Sequence, residues 1–211
     1  FMHMLRDEDN AGYRGAIKSV LEYSPAILER YVNFMNNPDE DTAVEQFGKG
    51  DKYFGIATMM ATLPGLPMFG HGQIEGYAEK YGMEFTRAYW DESPDTGLVE
   101  HHDRVIFPIL RQRHKFCGVH HFALLDFIRE GEVDENVFAF ANRSTQTGEP
   151  SLVLYNNAHE STAGWLQRST AINEGEHDAP DLKFRSLATA LGVVDDPNVI
   201  YGFWELRNQA W

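Results

Sequence analysis

The pattern of apolar residues predicts helices in three parts of the chain. The first set predicts an amphipathic helix over residues 12–23, capped by Asn10. Residues 53–62 are apolar almost all round, which predicts a helix that is buried on most of its surface. A third helical stripe covers residues 98–116, and Pro108 within it should kink this helix or split it in two.

Two short apolar runs flank the second of these helices. Residues 30–35 end in the polar corner Asn36-Asn37-Pro38-Asp39-Glu40, and residues 66–69 end in a glycine-rich loop. A short apolar run between turn residues is typical of a buried strand. In α/β barrels the loops at the carboxyl ends of the strands form the active site. We therefore expect the two strand ends to open onto a shared cavity.

The periodicity changes near residue 117. Three β-prone runs follow, separated by turn-rich breaks, and they predict an antiparallel meander. These runs cover residues 121–127, 137–142 and 152–157. Later segments predict a short helix at residues 187–191 and a strand at residues 199–206. We place a domain boundary near residue 117, between an α/β part (residues 1–117) and a β-rich part (residues 118–211).

Charge and composition narrow the classes of partner. The chain has 32 acidic and 18 basic residues and a formal net charge of -14, which repels nucleic acid and anionic membrane surfaces but not a neutral sugar. No apolar run reaches the ~18 residues of a membrane span, so we expect a soluble protein and favour the cytoplasm. The single cysteine, Cys117, predicts a small core residue rather than a nucleophile. The start at Phe1, without an initiator methionine, predicts a part of a larger protein.

Two segments carry a resemblance to a known family. Residues 63–73, Leu-Pro-Gly-Leu-Pro-Met-Phe-Gly-His-Gly-Gln, resemble the eighth-strand segment of the alpha-amylase family of glycoside hydrolases. Residues 32–39 resemble its seventh-strand motif, with Pro38 where the family has histidine, and residues 137–143 resemble a strand of its C-terminal β domain. The resemblance implies a partial (β/α)8 barrel, its last two to three β/α units, followed by a small antiparallel β domain.

The same resemblance implies a retaining reaction on α-glucans. Such enzymes use two carboxyl groups, a nucleophile and an acid/base, which in this family lie on the fourth and fifth strands. A third carboxylate at the end of the seventh strand stabilises the transition state, and it corresponds to Asp39. Because the fourth and fifth strands would lie upstream of Phe1, we expect this chain alone to be inactive. The parent protein would be a glycoside hydrolase or transglycosylase.

Further residues are candidates for sugar binding. Asn36 and Asn37 can replace part of the hydrogen bonding that Pro38 cannot supply, and His71 and Gln73 lie in the eighth-strand loop. The candidate substrate-binding residues are Asn36, Asn37, His71, Gln73 and Trp90. Trp90 belongs to an aromatic segment with Tyr77, Tyr81, Phe85 and Tyr89, and aromatic faces suit stacking on sugar rings. The alternatives are structural: a helix cap for Asp39, a structural histidine, and aromatic residues that pack in the core.

No cofactor is expected in this chain. The adjacent pairs His101-His102 and His120-His121 point their side chains in different directions, so neither makes a local metal face. The family often binds calcium, but through loops outside this segment, so calcium is expected only in the parent protein. A partial barrel leaves an unpaired strand edge, which would favour contact with a second copy. The competing functions are a non-catalytic carbohydrate-binding or structural module and a degenerate barrel relic, the latter favoured by Pro38.

Overall fold

Helices alternate with two short strands in the first half of the chain, and antiparallel strands follow. The computed structural model describes residues 2–80 and 86–210. The α-helices are α1 (Met2–Arg6), α2 (Asn10–Tyr23), α3 (Ala43–Phe47), α4 (Asp51–Thr62), α5 (Thr96–His101), α6 (Phe107–Leu110) and α7 (Leu187–Leu191). Two 3-10 turns cover Pro25–Arg30 and Arg113–Lys115, and a π-helical turn covers His102–Ile106. The strands are β1 (Val32–Phe34), β2 (Leu66–Met68), β3 (Ala123–Arg129), β4 (Glu132–Val133), β5 (Val137–Arg143), β6 (Pro150–Asn156), β7 (Trp165–Ser169), β8 (Ile172–Asn173) and β9 (Leu182–Lys183).

The first predicted helix is confirmed, but its predicted cap is wrong. The cap is Asp9, whose side chain accepts a hydrogen bond from the N–H of Gly12 at 3.1 Å. A carboxylate is well suited to this place because it also interacts favourably with the positive end of the helix. Asn10 is instead the first helical residue, and its buried amide donates to Asn136 and accepts from Asn157. These amide bonds tie the start of α2 to the β-sheet.

The next unit is strand, helix, strand, as the apolar runs predicted. β1 and β2 pair in parallel, with Val32 opposite Leu66 and Phe34 opposite Met68, and α4 lies between them in the chain. Helix α4 is buried on most of its surface, as predicted. Since the strands are parallel, their carboxyl ends meet at one edge. Among the described residues this is the one parallel pair, so the barrel stays a prediction.

The third helical stripe continues through Pro108 without a break, so it is not split there, and the alternative, a kink, stays a prediction. Helix α5 passes through the π-helical turn into the short α6, which has Pro108 near its start. Basic residues follow α6. Among them, Arg113 donates from its guanidinium to the carbonyls of Ala61, Leu63 and Gly65. The carbonyls at the end of a helix lack intrahelical partners, and Arg113 supplies them for α4.

The predicted meander is confirmed as an antiparallel sheet. The strand order is β4-β3-β5-β6, with β7 also paired to β3. Alternate residues of β5 face opposite ways. Phe138 and Phe140 pack into the main apolar core, whereas Ala139 and Ala141 pack beneath the predicted helix α7. Side chains from both sides of residue 117 share the main core, and the domain boundary stays a prediction.

Two smaller predictions are wrong. Residues 199–206 form no extended strand; no described strand pairs with them beyond one isolated bridge, and Ile200 is 96% exposed. Cys117 is exposed rather than a core residue, since it lies in the turn that follows Arg113–Lys115. No helix within the described ranges is both long and apolar enough to cross a bilayer.

Candidate functional site

Asn36 and Gly70 bring the two predicted strand ends into direct contact. Asn36 follows β1, is 4% exposed, and packs its side-chain amide on the backbone of Gly70, which follows β2. A Cβ atom at residue 70 would overlap this amide. Only glycine therefore fits there without a shift of the neighbouring corner.

A turn built by Asn37 presents Asp39. The side-chain oxygen of Asn37 accepts hydrogen bonds from the backbone N–H groups of Asp39 at 2.9 Å and Glu40 at 3.0 Å. This is an Asx turn, which fixes the corner locally. Asp39 is exposed, and it does not cap the next helix, because Thr42 caps α3. The capping alternative for Asp39 is therefore wrong, and its carboxylate faces solvent.

The buried side chain of Gln73 stabilises the glycine loop by hydrogen bonds. It is 1% exposed, and its side-chain oxygen accepts from the N–H of Gly70 at 3.1 Å. Its amide nitrogen lies 3.3 Å from the sulfur of Met35, and its backbone carbonyl accepts the hydroxyl of Tyr53 at 2.6 Å. The observed bonds therefore give Gln73 a supporting role in this loop, and contact with a sugar stays a prediction.

His71 lies on the surface of the same loop. Its ring centre is 6.0 Å from that of Tyr77, and the residue is exposed. Gly72 beside it has a φ of 68°, a left-handed conformation that favours glycine. The loop thus turns sharply at Gly72 and leaves the imidazole accessible.

Two glutamates fasten the aromatic segment that contains Trp90. The carboxylate of Glu79 accepts from the backbone N–H groups of Tyr89 at 2.7 Å and Trp90 at 3.0 Å. The carboxylate of Glu92 accepts in return from the N–H groups of Ala78 and Glu79. The aromatic rings of Tyr89 and Trp90 remain exposed, Trp90 to 59%. These carboxylate bonds form a clamp at the two ends of the segment.

Sequence reasoning missed this clamp. Its partners are ten or more residues apart and follow no periodic pattern, so no local signal could have paired them. Tyr81 and Phe85, which the sequence also suggested for sugar stacking, lie outside the described residues. Lys80 connects the clamp to the first corner, because its ammonium donates to the backbone carbonyl of Asp39 at 2.9 Å.

The buried side chain of His102 supports the glycine loop from the core. His102 is fully buried, and its Nδ1–H donates to the carbonyl of Leu98 at 2.9 Å. Its Nε2 lies 3.2 Å from the hydroxyl of Tyr53, the same hydroxyl that binds the carbonyl of Gln73. Burial lowers the pKa of His102 and raises that of Tyr53, so both are held neutral. Together they fix the glycine loop to α4.

The described residues hold no metal-binding cluster, and an apolar cavity lies away from the predicted site residues. Within the described residues no group of three His, Cys, Asp or Glu side chains is arranged to hold a metal ion. An apolar cavity of about 270 Å³ lies between α2 and β1, lined by residues that include Tyr13, Leu28 and Phe34. None of the predicted site residues lines this cavity. The shared cavity for Asp39 and His71 thus stays a prediction, although the segments that bear them touch.

Three segments meet at the carboxyl ends of β1 and β2. They are the corner at residues 36–41, the glycine loop at residues 70–76, and the described parts of the clamped aromatic segment, residues 78–80 and 86–92. The contacts between Asn36 and Gly70 and between Lys80 and Asp39 join them. Comparisons of the chain with protein-family models, with curated proteins and with solved structures found no match.

Proposed function

We propose that this chain is the C-terminal portion of a glycoside hydrolase or transglycosylase of the alpha-amylase type, which acts on α-glucans by a retaining mechanism. The observation that carries the proposal is the contact between the Asn36 corner and the Gly70 loop at the ends of two parallel strands. These are the two segments whose residue pattern resembles that family.

Asp39 is assigned the stabilising carboxylate. Glycosidic cleavage passes through a transition state with positive charge near the anomeric carbon, and a fixed carboxylate beside it lowers the barrier. The Asx turn of Asn37 holds the backbone of Asp39 before substrate arrives. The nucleophile and the acid/base would come from other strands of the parent protein, so this chain alone is expected to be inactive.

Trp90 and Tyr89 are assigned a stacking surface for sugar rings. An aromatic face binds the apolar face of a hexose, and a ring that is already held in place loses less entropy on binding. The clamp of Glu79 and Glu92 fixes the backbone beneath both rings. Neither the surface nor the carboxylate needs a cofactor, and calcium is expected only in the parent protein.

The exposed strands β1 and β2 fit the same proposal. Val32 and Leu66 are exposed large apolar residues on these strands. Sheet edges that carry exposed apolar side chains are unusual unless another strand or a second copy covers them. Further barrel strands of the parent protein would cover them, and a homo-oligomer is the alternative.

Catalysis by the longer protein tests the proposal. The segment that precedes Phe1 is expressed joined to this chain and assayed for cleavage of an α-glucan. The change Asp39→Asn should lower kcat by about 100-fold or more, as expected when one preorganised electrostatic contact is removed. Asp41→Asn is the matched control, because Asp41 is exposed on the same corner. Equal activity of the two variants would refute the role of Asp39, and a joined protein without activity on α-glucans would refute the proposed reaction.

A carbohydrate-binding module is the second candidate. The exposed Trp165 on β7, at 75% exposure, favours it because this ring could bind a glycan without turnover. Calorimetric titration with a maltooligosaccharide separates the two candidates. Trp90→Ala should weaken binding about three- to tenfold if the stacking surface lies at the strand ends. A loss with Trp165→Ala instead would favour the module.

A further inference from the structure

A polar cleft lies away from the strand ends, where the chain enters the β-sheet. It has a volume of about 540 Å³, and its lining includes His120, His121, Arg143 and Arg185. In a chain with a net charge of -14, the guanidinium groups of Arg143 and Arg185 give this cleft a local positive field against the overall charge. No local pattern indicates this cleft, because its basic residues are up to 65 positions apart in the chain.

The contact between Arg143 and His121 fixes the proton of the imidazole. Nη2 of Arg143 lies 3.1 Å from Nδ1 of His121. A guanidinium can only donate hydrogen bonds, so Nδ1 must accept and the ring proton must lie on Nε2. Burial lowers the pKa of His121, and the nearby charges of Arg143, His120 and Arg185 lower it further. His121 is therefore a neutral ring with an N–H donor.

Arg143 is packed tightly, and one of its hydrogen-bond donors has no partner among the described atoms. Its guanidinium lies against Gly192, which ends α7 with a φ of 67°, and a Cβ atom at residue 192 would overlap it. Nε of Arg143 is buried and has no hydrogen-bond partner among the described atoms. Buried donors without a partner are rare in folded proteins, and a bound ion is one explanation for them.

The other side of the cleft is also rich in donors. Arg185 donates to the carbonyl of Phe122 at 3.2 Å and to the carboxylate of Glu174 at 3.0 Å, so its position is fixed. Glu174 is the acidic residue in this lining, and it neutralises Arg185 only in part because its own side chain is 46% exposed. Among the described residues that line the cleft, none beside Arg143 and His121 carries a carboxylate.

We propose that this cleft binds a small oxyanion, the phosphate or carboxylate group of a small molecule, between Arg143, His121 and Arg185. Guanidinium groups and neutral imidazole N–H groups are donors that match oxyanion acceptors, and hydrogen bonds to a charged group are about twice as strong as neutral ones. The proposal does not depend on the glycosidase assignment, since none of the residues at the strand ends lines this cleft.

Titration of the 211-residue chain with inorganic phosphate and, separately, with acetate tests the proposal. Sodium chloride is exchanged to keep the ionic strength constant, and the imidazole resonances of the nine histidines are followed by NMR. We expect saturable shifts confined to His120 and His121. The tighter of the two titrants identifies the group, phosphate or carboxylate. Shifts that do not saturate, or that spread evenly over the histidines, would overturn the proposal.

Three variants separate binding from folding. Arg143→Gln should weaken binding at least about tenfold, the usual effect of losing a hydrogen bond to a charged group. Glu174→Gln should tighten it by roughly two- to fivefold, because a repelling carboxylate is removed. A misfolded protein cannot produce that gain. Arg129→Gln, at the far end of β3, is the matched control and should leave binding unchanged. Equal losses for Arg129→Gln and Arg143→Gln, or no gain for Glu174→Gln, would contradict the proposed site.

Discussion

Replacement of Arg113 by methionine removes the cap of α4 while the apolar stem of the side chain remains. In the folded chain the guanidinium of Arg113 bonds to the carbonyls of Ala61, Leu63 and Gly65. These carbonyls belong to the turn from α4 into β2, which positions the glycine loop. Loss of their hydrogen-bond donor therefore destabilises this turn. Methionine has no donor to offer them.

The size of the effect follows from the three bonds. Each carbonyl left without its partner costs about 1 kcal/mol, so Arg113→Met should lower the free energy of unfolding by about 3 kcal/mol. Burial lowers the pKa of Arg113, which shows that its charge is partly desolvated, and removal of that charge offsets part of the loss. For a chain of 150–250 residues, about 3 kcal/mol corresponds to a fall in Tm of about 6–12 °C.

Thermal unfolding followed by circular dichroism measures this change. Arg111→Met is the matched control, because Arg111 is exposed and only two residues away. It should change Tm by less than about 2 °C, as is usual for surface substitutions. If Arg113→Met and Arg111→Met melt within 1–2 °C of each other, the three bonds do not hold α4 to β2, and the reasoning fails.

Three further changes test other parts of the fold. Arg14→Met leaves the carboxylate of Asp126, on β3, without its buried guanidinium partner. The free energy of unfolding, measured with urea, should fall by about 3–5 kcal/mol, and an unchanged midpoint would contradict this. Gly70→Ala forces the side chain of Asn36 away and should lower the free energy of unfolding by about 1–3 kcal/mol. Gly15→Ala is the control: its added methyl group meets no neighbouring atom, and it should stabilise the protein. His102 has a pKa lowered by burial from the usual 6.5, so the folded chain binds fewer protons than the unfolded one and loses stability as pH falls below 6.5. His102→Gln should remove up to about 1.4 kcal/mol per pH unit of this slope, and an unchanged slope would refute the assignment.

Local patterns predicted the elements well. The helical spacing in residues 12–23 predicted α2, and the continuous apolar segment at residues 53–62 predicted α4. The short apolar runs between turn residues predicted β1 and β2. The β-prone run at residues 137–142 similarly predicted β5. These elements bury apolar side chains in a pattern with the period of the element itself, which a sequence displays directly.

Features that depend on distant partners were missed. Cys117 looked like a core residue because of its type, but the turn that carries it lies at the surface. Gln73 was singled out as a candidate ligand, yet its amide is used inside the glycine loop. The bonds of Arg113 and the pairing of Arg143 with His121 join residues more than twenty positions apart. Such contacts are set by packing and leave no local signal.

Mapping a maltooligosaccharide by amide chemical shifts tests most directly whether the two strand ends form one sugar site. The 15N-labelled chain is titrated with the oligosaccharide, and the amides that shift are assigned. We expect the amide resonances of residues 36–41 and of residues 70–76 to shift together, with one dissociation constant. Shifts confined to the β-sheet around Trp165, or different affinities at the two strand ends, would contradict it.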